Sequence, residues 1–189
     1  MKRRDDLRER LERLTPYDGL EHTHKTRMLA LVCEAADPFD RAHYLPGHVT
    51  ASAFVVDRAR AEVLLILHGK LERWLQPGGH VDPEDASVLE AARREVREET
   101  GLDVASGGGE LLDVDIHVIP AHNEQPAHEH FDVRFVFERG AGVARAGSDA
   151  QNVRWVPIAQ LLSSAGEHPE LPSDESVLRA LRKLRARWT

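Results

Sequence analysis

The spacing of apolar positions changes several times along this chain, and each change marks an expected element. Leu7, Leu11 and Leu14 recur at helical spacing inside a charged segment, which predicts a helix over 3–14. A second helix is expected over 21–35, "EHTHKTRMLALVCEA", ended by Pro38, which disfavours helix at Asp37. The period then shortens. "HVTASAFVVD" (48–57) and "EVLLILH" (62–68) read as strands joined by the polar "RARA". "RWLQPGGH" (73–80) reads as a short strand entering a Gly-Gly turn. Residues 85–100 read as a long amphipathic helix, with Gly101 placed to end it as a left-handed cap. Strands follow at 111–119 and 131–138, with a His-rich loop between them. A last strand at 152–158 should stop pairing at Pro157, which has no N–H to give. Residues 172–188 predict a terminal helix capped by Ser173 or Asp174. This order predicts a mixed sheet with helices on its faces, in the α/β or α+β class.

Composition narrows the chemistry. A chain of 189 residues, 41% hydrophobic and 30% charged, fits one globular domain with terminal extensions. A net charge of −7 argues against unaided binding to a nucleic-acid backbone, but leaves open a cation-dependent site for small phosphate compounds. The single Cys33 has no internal partner and suits a reducing compartment. The N-terminal "MKRRDDLRERLERL" lacks the apolar run of a signal peptide, and no segment approaches the ~20 apolar residues of a membrane span. The expected location is cytoplasmic, without a membrane or nucleic-acid partner.

The informative stretch is "REVREETGL" (94–102). On a helix, Glu95, Glu98 and Glu99 fall within roughly a 100° arc. Val88, Ala91 and Ala92 share that side one to two turns earlier, and the alanines permit close approach to a neighbour. Glu90, Arg93 and Arg97 face away and are expected to be solvated. Like charges at i,i+4, such as Glu95 and Glu99, destabilise an isolated helix. A salt-bridged surface face is one reading. The other is a site for hard divalent cations, which take oxygen ligands and leave positions open to phosphate. The preceding "PGGH" and the following Gly101 favour the second.

"GGHVDPEDASVLEAARREVREETGL" (78–102) resembles the signature of the Nudix (MutT-like) hydrolase family, G-x5-E-x7-R-E-U-x-E-E-x-G-U. Arg94, Glu95, Val96, Glu98, Glu99, Gly101 and Leu102 match it position by position. The first half is one residue longer than the pattern, so Asp85, or Glu84, stands where the family has its first glutamate. The resemblance implies an α/β/α sandwich with a mixed sheet, and a catalytic group of Arg94, Glu95, Glu98 and Glu99. It also implies two or three Mg²⁺ or Mn²⁺ ions on Glu95, Glu98 and Glu99 and the carbonyl of Gly78, with Arg94 orienting a glutamate. The implied reaction is hydrolysis of a pyrophosphate bond in a nucleoside diphosphate linked to another moiety, a small phosphate-containing substrate. On this basis residues 46–165 form the Nudix domain, 1–45 a helical extension able to cover the site or build a homodimer, and 166–189 a helix packed on the same domain.

The eleven histidines are the other irregularity. His48 opens a strand, His80 follows the glycine pair, and His128 and His130 flank Glu129 at the start of another strand. Two readings stand: polar loop residues, or an auxiliary transition-metal site, since imidazoles favour Zn, Fe or Mn over Mg. Base catalysis from His128, Glu129 or His130 is a third use. The histidines at 48 and 80 are similar to metal ligands of isopentenyl-diphosphate isomerases, in which an E-x-E pair takes the place of His128-x-His130. Arg41 stands where a further histidine belongs, and Gly78 replaces that family's cysteine. The alternatives to hydrolysis are therefore an isopentenyl-diphosphate-isomerase-like enzyme or a non-catalytic Nudix-fold nucleotide sensor. Trp74 and Arg134 are candidate substrate contacts, the former by stacking on a base and the latter by reaching a phosphate. The competing readings are core packing for Trp74 and an ion pair with Asp132 on a solvated face for Arg134.

Overall fold

A computed structural model describes residues 2–69, 71–104, 108–148, 150–163 and 174–188. Two helices come first, α1 (Lys2–Arg13) and α2 (Gly19–Glu34). They are followed by β1 (Gly47–Asp57), β2 (Glu62–His68), β3 (Arg73–Leu75) and β4 (Gly78–His80). Next come α3 (Val88–Thr100), β5 (Glu110–Ile119), β6 (His128–Glu138) and β7 (Ala150–Pro157). Helices α4 (Ile158–Ser163) and α5 (Glu175–Ala186) close the chain. Asp174 caps α5 by accepting from Ser176 N; the alternative cap, Ser173, lies outside the described residues. The short α4 was not foreseen. Among the described residues no helix is long and apolar enough to cross a membrane.

The sheet has seven strands and is mixed. Its main path is β3-β2-β1-β6-β5, with β4 paired to β1 and β7 to β2. Among the described residues only the β1–β6 pair is parallel, in register from Gly47 with Glu129 to Val56 with Glu138. This α+β architecture is the expected one.

Strand alternation splits the core in two. Val49, Ala51, Ala53 and Val55 of β1 face one cluster, with Leu7 and Leu11 of α1, Met28 of α2, and Val88, Ala91, Ala92 and Val96 of α3. Phe131, Val133, Phe135 and Phe137 complete that side. Phe54 and Val56 face the other cluster, beneath α4 and α5. On that second face His48, Thr50 and Ser52 take the alternate positions of β1, and His130, Asp132 and Arg134 those of β6. The second apolar cluster therefore covers only one end of its face, and the polar end is where the cleft opens.

Two local expectations are corrected. The glycines at 78 and 79 lie in a strand, not a turn, paired with Ser52 and Ala51. A Cβ on Gly78 would fall 2.5 Å from Ser52 Cβ, and one on Gly79 would fall 2.6 Å from Glu95 Oε1. Bare backbone is what lets the acidic helix sit against this strand. The helix also begins later than expected. Ser87 caps α3 by accepting from Glu90 N, because Asp85 is engaged in a turn, where its carboxylate accepts from Asp82 N at 2.8 Å. At the far end Gly101 adopts φ 66° and donates to Arg97 O.

Candidate active site

The last two turns of α3 project Glu95, Glu98 and Glu99 toward the glycine strand. Gly78 N donates to Glu99 Oε2 at 2.9 Å, and Glu99 is 3% exposed. Glu98 is half exposed at the cleft mouth. Burial raises the Glu95 carboxyl above its ordinary range; Arg94 opposes this, and the negative charges of Glu98 and Asp82 add to it.

Arg94 is the hub of this face. Its Nε donates to Asp85 Oδ1 at 3.1 Å, and its Nη2 to His80 O and Asp85 Oδ2, both at 2.9 Å. Its Nη1 donates to Glu95 at 2.8 Å and Glu98 at 3.1 Å. All five guanidinium N–H groups are thereby engaged, which places Arg94 as a positioning group rather than a substrate contact. Asp85 takes the bidentate role, while Glu84 is exposed.

The carboxylates suit hard cations. Three glutamates, with Asp82 beside them, present oxygen donors around buried negative charge that Arg94 only partly offsets. Each glutamate has its own partner, however: Glu95 and Glu98 share Arg94, and Glu99 turns to the Gly78 amide.

The cleft, about 760 Å³, runs from these glutamates across β4 to the polar face of the sheet. Its walls include Arg41, Thr50, Ser52, Gly78, Gly79, His80, His117, His130 and Asp132. Here the histidines meet. The ring centroids of His48 lie 5.1, 5.1 and 4.9 Å from those of His80, His128 and His130. Burial, the nearby Arg41 charge and His48 hold His80 down at about 4. Burial and the surrounding imidazoles, His80 first, hold His130 down at about 2.

Three candidates fall away from the cleft. Glu129 points to the opposite face of β6, where its carboxylate accepts from Arg27 at 2.5 Å, as alternation requires once the strand begins at His128. Arg134 is 3% exposed, and all five of its N–H groups are committed. Its Nε donates to Asp132, its Nη1 to Asp113 and Ser176 O, and its Nη2 to Asp115 and Ser176 Oγ. The ion pair with Asp132 exists, but on a buried face, and the side chain has no donor left for a phosphate. Trp74 packs against the second apolar cluster, while its neighbour Leu75 lines the cleft. Arg93, expected to be solvated, is 7% exposed and donates to Glu90 and to Gly108 O.

Two residues named in the sequence were not read as parts of the cleft. Asp132 is 4% exposed and is held by Thr50 Oγ1, Ser52 Oγ and Arg134 Nε. Its signal was a carboxylate alternating with His130 on the polar side of an otherwise apolar strand. Arg41 stands on the rim, paired with Asp82 at 3.1 Å; a lone basic residue in a loop gives no signal.

Comparison with known proteins decides the family. The NUDIX domain model matches residues 46–181. The chain belongs to the Nudix hydrolase family. A curated relative, the 8-oxo-dGDP phosphatase NUDT18 of Danio rerio, is 36% identical over 100 residues, covering 51% of this chain and 27% of that protein. This chain thus aligns with about a quarter of its relative's length. The MutT NUDIX hydrolase of Burkholderia pseudomallei shares the fold at TM-score 0.54 and 22% identity, covering 72% of this chain and 96% of that one. The NUDIX domain of Shewanella oneidensis NrtR, solved with ADP ribose, has TM-score 0.55 and 20% identity over 75% and 88% of the two chains.

Proposed function

We propose that this Nudix protein hydrolyses a pyrophosphate bond in a nucleoside diphosphate linked to a further group. The observation that carries the reading is the acidic face of α3, locked against the glycine pair of β4 at the mouth of a polar cleft. A sensor that only bound nucleotide would not need three carboxylates crowded against one helix face at an electrostatic cost. The ADP ribose of the NrtR complex is of this class, and the 8-oxo-dGDP named for NUDT18 shares its nucleoside diphosphate part.

Glu95, Glu98 and Glu99, with the Gly78 carbonyl, are the residues that would hold Mg²⁺ or Mn²⁺. An ion held by these groups would supply charge neutralisation at the bridging phosphates and a more acidic water. The protein's own part is positioning, which dominates phosphoryl transfer. Arg94 fixes the rotamers of Glu95 and Glu98, and Asp85 fixes Arg94. Gly78 N anchors Glu99, and Gly79 leaves room for Glu95. On the far wall, His80 and His130 present neutral rings, and Arg41 supplies a cation at the rim for a phosphate or sugar-linked phosphate.

A hydrolysis screen tests this reading. Purified protein is offered ADP-ribose, nucleotide sugars, dinucleoside polyphosphates and oxidised nucleoside diphosphates, with Mg²⁺ or Mn²⁺, beside a Glu98→Gln control. Turnover of at least one class that needs the ion and Glu98 is expected. Tight nucleotide binding without turnover in any class would overturn hydrolysis in favour of a sensor.

A further inference from the structure

The histidines on the wall opposite the glutamates share features that simple packing does not explain. His48, His128 and His130 each offer a ring nitrogen, and these three atoms lie within 4.8 Å of one another. They come from the starts of β1 and β6, strands held in parallel register with His48 opposite His130. His80 is the residue of β4 paired with Thr50, and its ring lies 5.2 Å from that of His130. Four imidazoles around one ion, with metal–nitrogen bonds of about 2.0–2.1 Å, have neighbouring ring centroids roughly 5 Å apart. The observed separations among His48, His128 and His130 are 4.9, 5.1 and 5.3 Å.

Two of the rings have their tautomers fixed by carbonyls. His128 Nδ1 lies 2.8 Å from Pro126 O, and His48 Nδ1 lies 3.3 Å from His43 O. A carbonyl only accepts, so each Nδ1 carries the proton and each Nε2 is left with a bare lone pair. A backbone carbonyl behind Nδ1 is the arrangement that orients metal-bound histidines and raises their basicity. The lone pair of His48 is then unanswered: its Nε2 is buried and has no hydrogen-bond partner among the described residues. Buried polar atoms are rarely left so. An electron-pair acceptor at the centre of the rings would answer it.

We propose that His48, His128 and His130, with His80 on the cleft side, form a binding site for one divalent first-row transition-metal ion of the Zn²⁺ type, separate from the acidic helix. Imidazole nitrogens select such ions over Mg²⁺, whereas the glutamate face has the opposite preference. His48 and His128 lie behind the wall and His80 and His130 line the cleft. An ion held by His48, His128 and His130 would have its fourth position toward the cleft, where His80 or a water would complete the shell. The site stands on the geometry of the rings and is independent of whether the protein hydrolyses nucleotides.

Untagged protein, stripped with chelator, is titrated with Co²⁺ in excess Mg²⁺ while visible absorption is recorded. X-ray absorption at the metal edge of the Zn²⁺-loaded wild type reads the ligands without any mutation. One tight equivalent with an imidazole-nitrogen shell is expected. Affinity should fall at least a hundredfold in His128→Gln and in His130→Gln, and persist in Glu98→Gln. Zn²⁺ should raise the melting temperature of wild type and Glu98→Gln but not of the histidine variants. No tight equivalent in the wild type, an oxygen-only shell, or loss of the ion in Glu98→Gln alone would overturn the site. Glu98→Gln that keeps the ion but loses turnover separates this proposal from the hydrolytic one.

Discussion

The two walls of the cleft are built on opposite principles. The α3 wall gathers negative charge and holds it with hydrogen bonds. Every carboxylate has a partner, and Arg94 alone ties Glu95, Glu98 and Asp85 together. The wall of β1, β4 and β6 gathers neutral rings, with burial suppressing protonation at His80 and His130, and leaves a lone pair of His48 unanswered. Charge repulsion on the first wall is offset in part by Arg94 and the Gly78 amide, and on the proposed reading a cation would offset the rest. On the second, desolvation removes charge and leaves nitrogen donors. Perturbation should thus act on the first wall through catalysis and on the second through metal content, and the following experiments probe the first wall and the support beneath both.

The largest effect is expected at the glutamates. Glu98→Gln and Glu99→Gln keep an acceptor for Arg94 and for Gly78 N respectively, so the fold should survive. Turnover should fall at least a hundredfold, about 2.7 kcal/mol of transition-state stabilisation. Steady-state kinetics with Mg²⁺, beside circular dichroism, checks both halves. Activity within tenfold of wild type would remove the metal role from α3.

The adjacent glycines should separate stability from activity. In Gly79→Ala the three atoms nearest the new Cβ, at 2.6 to 3.0 Å, all belong to the carboxylate of Glu95, the far end of a side chain. Turnover should drop about tenfold, or ~1.4 kcal/mol, with little change in melting temperature. In Gly78→Ala the clash is with Ser52 Cβ at 2.5 Å and Ala51 O at 2.8 Å, neither of which can swing away. That variant should lose about 1–3 kcal/mol of stability, measured by urea unfolding. Equal stability losses in the two would show that Glu95 is not free to give way.

A smaller effect is expected beneath Arg94. Asp85→Ala removes the bidentate acceptor but leaves Glu95, Glu98 and His80 O, so turnover should fall only a few-fold. Glu84→Ala, on an exposed loop position, should be silent. The reverse ranking would shift the alignment of the loop by one residue.

These contrasts mark where the sequence was legible. The glutamate face could be read because its pattern is local: a helical period, a cap and a glycine stop within 25 residues. The later start of α3 was missed because the Asp82–Asp85 turn and the bonds that Arg94 donates to Asp85 hold this segment out of the helix, and the second of these is tertiary. The glycine pair looked like a turn because glycine commonly marks turns; its role here is to let α3 approach. The histidines were conspicuous by number, but their convergence depends on the parallel β1–β6 register, which no local pattern encodes. Arg134 was paired with Asp132 correctly but placed on a solvated face, or on a phosphate, for the same reason. Its partners Asp113 and Asp115 lie on β5, and Arg179, which binds the same aspartates, lies on α5.

That buried network carries the smallest expected effect, a change in the pH dependence of stability. Asp115 is 4% exposed. Burial alone would raise its carboxyl, but the hydrogen bond from His117 and the charges of Arg134 and Arg179 outweigh it and hold the group well below the ordinary carboxylate range. A carboxyl depressed in the folded state releases its proton more readily there than in the unfolded chain, where it titrates near pH ~3.9. Its contribution is therefore fully present above about pH 4 and is lost as pH falls through the folded value. Below pH ~4 the unfolded chain binds a proton that the folded one does not, which adds up to about 1.4 kcal/mol of lost stability per pH unit. Asp115→Asn should be less stable at neutral pH, because Arg134 and Arg179 lose a charged partner in the interior. It should also show a shallower fall of stability between about pH 4 and 3. Urea unfolding at closely spaced pH values reads both quantities at once. Parallel acid limbs in the two proteins would show that Asp115 does not carry this proton linkage, and that the support beneath the histidine wall is held by Asp113 and Asp132 instead.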